Sequence, residues 1–182
     1  MFGFNWLRSP GAYRKAQDKA GIQFLASLLV CYPEVSTMQY DPKMGDLVLD
    51  FILRGKIDWD KLKPFTSLLK ESLDTYHALE DGEEPYLAIA GEAVGEQTVL
   101  LHITREVATL QRGELTLIAR LLHDTFGSLL VVDNHSLDNL EDGFATAQSD
   151  LLDQMLGQAQ EMRFKSRMIG IREGDRVVVY NR

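Results

Sequence analysis

The sequence predicts an α+β fold, a mainly antiparallel sheet of β-hairpins with amphipathic helices packed on it. Three observations carry that expectation. Two pairs of apolar-rich runs, residues 34–40 with 47–54 and residues 86–92 with 98–105, are each joined by a turn that contains glycine. Several longer segments repeat apolar residues every three or four positions, the period of a helix with one buried stripe. The order hairpin then helix occurs twice, which sets helices against one face of an antiparallel sheet.

The elements follow in order. Residues 12–32 place Ala16, Ala20, Phe24, Leu25, Leu28 and Leu29 on one helical stripe, and Pro33 stops the helix. Gly21 weakens that reading by about 1 kcal/mol relative to alanine, so a shorter helix from Gly21 onward is the alternative. The first hairpin turns through Asp41-Pro42-Lys43-Met44-Gly45-Asp46, and its second strand sends Leu47, Leu49, Phe51 and Leu53 to the core face. Over 58–79, Leu62, Phe65, Leu69, Leu73 and Tyr76 form a second stripe, with Asp60 as the expected N-cap and Pro64 in the first turn.

The charged segment 80–85 contains glycine and proline and has no apolar period, so it reads as a surface loop. The second hairpin turns at Val94-Gly95-Glu96, and a helix over 114–126 ends at Gly127. Residues 128–133, with Leu129-Leu130-Val131-Val132, predict a buried strand. Asp138 and Glu141 have capping-box spacing before a long helix that carries Leu140, Phe144, Ala147, Leu151, Met155, Ala159 and Met162. A terminal hairpin, 167–171 with 176–180, turns at Gly174. At an offset of 51, Val48, Leu49, Ile52 and Arg54 match Val99, Leu100, Ile103 and Arg105, a pattern that a repeated ββα unit would leave.

With 182 residues, 45% of them hydrophobic and 25% charged, the chain has the composition of a single α+β domain spanning 1–182. Any subdomain boundary falls near 80–85. The longest apolar runs, 28–32 and 86–90, are five residues long against the roughly 20 that a membrane span needs, so none is expected. The N-terminal Phe2, Phe4 and Trp6 alternate with small or polar residues and do not resemble a secretory signal. Cys31 is the single cysteine, which excludes an intramolecular disulfide and any multi-cysteine metal framework; a reducing, cytoplasmic location fits. The net charge of −8 is uneven: residues 1–20 carry +3, residues 163–182 carry +4, and the body between them holds −15. Such a body repels phosphate backbones and argues against a nucleic-acid partner.

The search for chemistry finds incomplete motifs. Of the four histidines, His77, His102, His123 and His135, none forms a pair with metal-ligand spacing. Asp133, Asp138, Glu141 and Asp142 lack the glycine of a calcium loop and fit a capped helix start. Cys31 sits at an apolar helix end, where a thiol is inert, and Gly91 to Gly95 lacks the lysine and spacing of a phosphate loop. No GxSxG and no cofactor motif is present, so no catalytic residue and no cofactor is assigned.

The leading expectation is therefore a non-enzymatic protein-interaction or regulatory module, with a protein partner or a second copy of itself, as in a homodimer. Phe4, Trp6, Arg163, Lys165 and Arg167 are its candidate contact residues. A seam of Leu137, Leu140, Phe144, Ala147 and Leu151 breaks at Gln154 and Gln158, which is too short for a coiled coil. The alternative is a small-molecule-binding protein or small enzyme with a site between helices and sheet, using His102, His123 and Asp124. A third reading is RNA binding through the basic segment 163–182.

Overall fold

The computed structural model describes residues 10–80, 85–133, 142–174 and 176–181, with side-chain surroundings from residue 18 onward and, in the long helix, from residue 150. In chain order the elements are α1 (Pro10–Cys31), β1 (Val35–Asp41), β2 (Asp46–Arg54), α2 (Leu62–Leu79), β3 (Leu87–Ala93), β4 (Thr98–Glu106), α3 (Arg112–Phe126), α4 (Asp142–Glu161), β5 (Met168–Glu173) and β6 (Arg176–Asn181). All six strands form one antiparallel sheet in the order β3-β4-β2-β1-β5-β6. The fold is α+β, and the three hairpins lie where the alternating patterns and glycine turns put them. Gly45, Gly95 and Gly174 take positive φ at their tips, a conformation open to glycine at no steric cost.

Strand periodicity decides which side the helices cover. Leu47, Leu49, Phe51 and Leu53 of β2 and Val99, Leu101 and Ile103 of β4 are all buried, and they pack with Phe24, Leu25, Leu28 and Leu29 of α1, Phe65, Leu69 and Leu73 of α2, Ile118 and Leu122 of α3, and Leu152 and Leu156 of α4. One core thus lies between the sheet and a layer of helices. Burying each such leucine or phenylalanine contributes roughly 1.5–3 kcal/mol. The opposite sheet face carries Val48, Ile52, Leu100, Ile169 and Val178, each half-buried.

The helix expected over 12–32 is present as α1, and the alternative of a start at Gly21 falls, because α1 runs unbroken through it; the space a Cβ would need there is taken by the tip of Met168 and by Phe164, so glycine permits close approach of α1 to the β5 end of the sheet. Several other sequence expectations need correction. Asp60 is not the cap of α2. A 3₁₀ turn, Trp59–Lys61, precedes the helix, and the Asp58 carboxylate caps that turn by accepting from the Asp60 amide at 3.0 Å.

Residues 128–133 do not form a strand. They begin in a 3₁₀ turn and touch β2 through a single bridge, Leu53 with Leu130, because β1 already occupies that side of β2 from Val35 onward. The four residue matches at offset 51 do not support a ββα repeat. An odd offset exchanges sheet faces, so core-facing Leu49 matches outward Leu100, and exposed Arg54 matches buried Arg105. In α4, Leu151 is exposed while Leu152, Leu156 and Ala159 are buried, so the stripe is displaced from the expected seam. The capping-box residues Asp138 and Glu141 and the seam positions Leu137 and Leu140 lie outside the described residues.

Candidate functional site

The sheet ends in two edge strands, β3 and β6, and residues 90–93 of β3 are exposed. The antiparallel ladder fixes which backbone groups are spare there. The Val94 amide donates to the Thr98 carbonyl at 2.8 Å, and counting back by twos directs Glu92, Ala90 and Ala88 at β4. The amides and carbonyls of Leu87, Ile89, Gly91 and Ala93 therefore point away from the sheet. Among the described residues, none of those four amides has a hydrogen-bond partner.

The side chains at this edge are small: Ala88, Ala90, Gly91 and Ala93 leave the strand thin, and residues 90–93 are exposed. On the helix side a groove of about 560 Å³ runs along the strand, with Trp59, Leu62 and Thr66 as its wall and Ile89, Gly91 and Leu101 as its floor. Trp59 is held there by the 3₁₀ turn before α2 and keeps 49% of its surface exposed, unusual for so large an apolar ring. The groove's rim carries one charge of each sign, Asp60 and Lys63.

His102 stands on the opposite, outward face of β4. Its Nδ1–H donates to Oδ1 of buried Asp50 on the neighbouring β2 at 2.7 Å, and its Nε2 faces the Glu92 carboxylate at 3.7 Å. A carboxylate behind an imidazole orients the ring and sets its tautomer, the arrangement used when histidine serves as a base. His102 lies on an open sheet face and lines neither this groove nor the polar concavity of about 320 Å³ between the β1–β2 turn and the end of α4.

His123 and Asp124 lie in the other layer, on α3, both exposed. His123 pairs with Glu34 at 2.9 Å. The structure therefore does not gather His102, His123 and Asp124 between helices and sheet.

The basic C-terminal segment is largely engaged within the chain. Arg163 donates to the Lys43 carbonyl beside the polar concavity, Arg167 pairs with Asp41 at 3.0 Å, and Arg176 lies 3.6 Å from Glu173. Arg172 turns inward. It donates to the Leu29, Tyr32 and Val35 carbonyls and to Asp133, tying the end of α1 to β5. Burial pulls its pKa down and Asp133 raises it. Lys165 is exposed. Phe4 and Trp6 lie outside the described residues.

Near the same hairpin tip, burial and the Glu106 and Asp41 charges push the Asp46 carboxyl up. The Cys31 thiol is also pushed up, chiefly by burial, which removes thiolate at neutral pH.

Sequence reasoning missed a buried charged cluster. Glu114 of α3 accepts from Arg105 through Nε and through Nη2 at 3.0 Å, and from His77 Nε2 at 2.9 Å; Arg105 also donates to the Tyr86 carbonyl at 2.7 Å. All three side chains are almost wholly buried. A signal was present, since His77 continues the α2 stripe four residues after Leu73 and Arg105 continues the inward alternation of β4. The cluster has no open side for a ligand and joins α2, α3 and β4.

Among the described residues, no group of three or more histidine, cysteine, aspartate or glutamate side chains is arranged to hold a metal ion, and no helix is long and apolar enough to cross a membrane. Comparison with protein-family models, curated proteins and solved structures finds no match to this chain.

Proposed function

We propose that this chain is a non-enzymatic protein-interaction module whose docking element is the free edge of β3. The observation that carries the reading is the conjunction of backbone groups at Leu87, Ile89, Gly91 and Ala93 that have no partner among the described residues with an apolar groove alongside them. An extended segment laid against β3 would satisfy those groups, and every second side chain would enter the groove between Trp59 and Ile89; backbone bonds supply affinity and the groove supplies selection. Among the described residues the oriented His102 is the feature that favours chemistry instead, and it lies on an open sheet face outside the groove.

The test is a library of displayed peptides selected against the intact chain and re-screened against Gly91→Pro. That substitution removes an outward amide and no bond to β4. Peptides alternating apolar and polar residues are expected, with binding at least tenfold weaker to the variant. Failure to enrich any sequence, or binders indifferent to the variant, would sink the proposal.

A further inference from the structure

The docking edge fits one occupant in particular, itself. We infer that a second copy of this chain pairs through its own β3, antiparallel, about a twofold axis at Ala90, so that two sheets become one continuous sheet. The inference rests on β3 serving as a docking edge.

Register is the first argument. An axis at Ala90 brings Ile89 opposite Gly91 of the second copy and Leu87 opposite Ala93, and these four are the residues whose amides and carbonyls point outward. Each outward donor then meets an outward acceptor. Ala90 meets Ala90 in a non-hydrogen-bonded pair, where the Cα atoms approach to about 4.5 Å and a small side chain fits.

Shape is the second. Side chains alternate faces, so Ile89 and Gly91 both lie on the helix side. The second copy's Ile89 would stand over Gly91, which has no side chain; a Cβ built there would be 3.5 Å from Trp59 and 3.7 Å from Leu62. The isoleucine would therefore extend toward the exposed Trp59 ring and the open part of the groove. The two grooves would meet along the joined strands, covering apolar surface on both copies.

Charge is the third. A patch that meets itself must not repel itself, and a chain of net charge −8 has to keep its acidic excess elsewhere. Within β3 the one charged residue is Glu92, and this register sets it opposite Ala88, not opposite another carboxylate. The groove rim balances Asp60 with Lys63. The strand also contains no lysine or proline and no recorded bulge, the usual devices that keep an exposed edge from pairing.

The experiment is sedimentation velocity of the intact chain over a wide concentration range, with two kinds of variant. The expected result is a species of about twice the 20.6 kDa chain mass that dissociates on dilution. Ala90→Lys places two ammonium groups against each other at the axis, and should return a monomer with unchanged circular dichroism. In a Cys31→Ser background, Ala90→Cys should form a disulfide-linked dimer on mild oxidation, because its Cα separation falls within the roughly 4.4–6.8 Å a disulfide accepts. Ala88→Cys, facing Glu92 of the second copy, should not.

A monomer at every concentration overturns the inference, as does a dimer indifferent to Ala90→Lys whose Ala90→Cys form does not cross-link. If the chain is monomeric yet its selected peptides still require Gly91, the docking edge stands and self-pairing alone falls.

Discussion

Glu114 holds two partners at once, and this shapes what its loss does. Arg105 and His77 are buried so completely that neither can turn to water if the carboxylate is removed. The cost of an uncompensated guanidinium in a dry interior exceeds the benefit of the pair that was broken, since desolvation has already occurred. Glu114→Ala is therefore expected to lower stability by about 3–5 kcal/mol, read as a fall in the urea midpoint. A loss below about 1 kcal/mol would mean that water reaches the site. The cluster was legible only in part: each charge sits at a position that helix or strand periodicity marks as inward, but which three inward charges meet depends on how α2 and α3 lie over β4.

At the scale of elements, local pattern served well wherever a turn or strand is specified by its neighbours. The hairpins follow from alternation and positive-φ glycines. It failed where a segment's state depends on distant occupancy: 128–133 has the composition of a strand, but β1 leaves it a single bridge on β2. Gly21 did not shorten α1, since its helix cost is offset by the packing of Met168 and Phe164 over it.

The end of α1 belongs to the same class. The last turn of a helix leaves carbonyls without partners inside the helix, and the Arg172 guanidinium on β5 donates to one of them, Leu29, and to the Tyr32 and Val35 carbonyls of the segment that follows. Arg172→Met keeps much of the aliphatic bulk and deletes those bonds. We expect a loss on the order of 2–3 kcal/mol, with circular dichroism of the folded state little changed. Wild-type stability in that variant would show that solvent can replace the clamp.

The whole molecule is organised by sheet order, the property least visible in the sequence. Nothing in the local pattern of β3 says that it ends the sheet while β4 lies inside it, although its run of Ala, Gly and Ala residues has less apolar bulk than β2 or β4. The candidate groove was hidden for the same reason, because it joins Trp59 to a strand some thirty residues later. The sheet and core continue through elements on both sides of residues 80–85. A single cooperative unfolding transition is therefore expected, superimposable by tryptophan fluorescence and circular dichroism. Two separated transitions would place a boundary near residues 80–85.

The neighbour relation of β1 and β5 also constrains biosynthesis. The strand that completes the first hairpin's free side is encoded about 130 residues after it, and Arg172 closes α1 from the same late segment. During translation the side of β1 that will meet β5 remains open until most of the chain has emerged, so final closure of the sheet must wait for that segment to leave the ribosome. A nascent chain in this interval exposes the edge of β1, which β5 covers in the finished sheet.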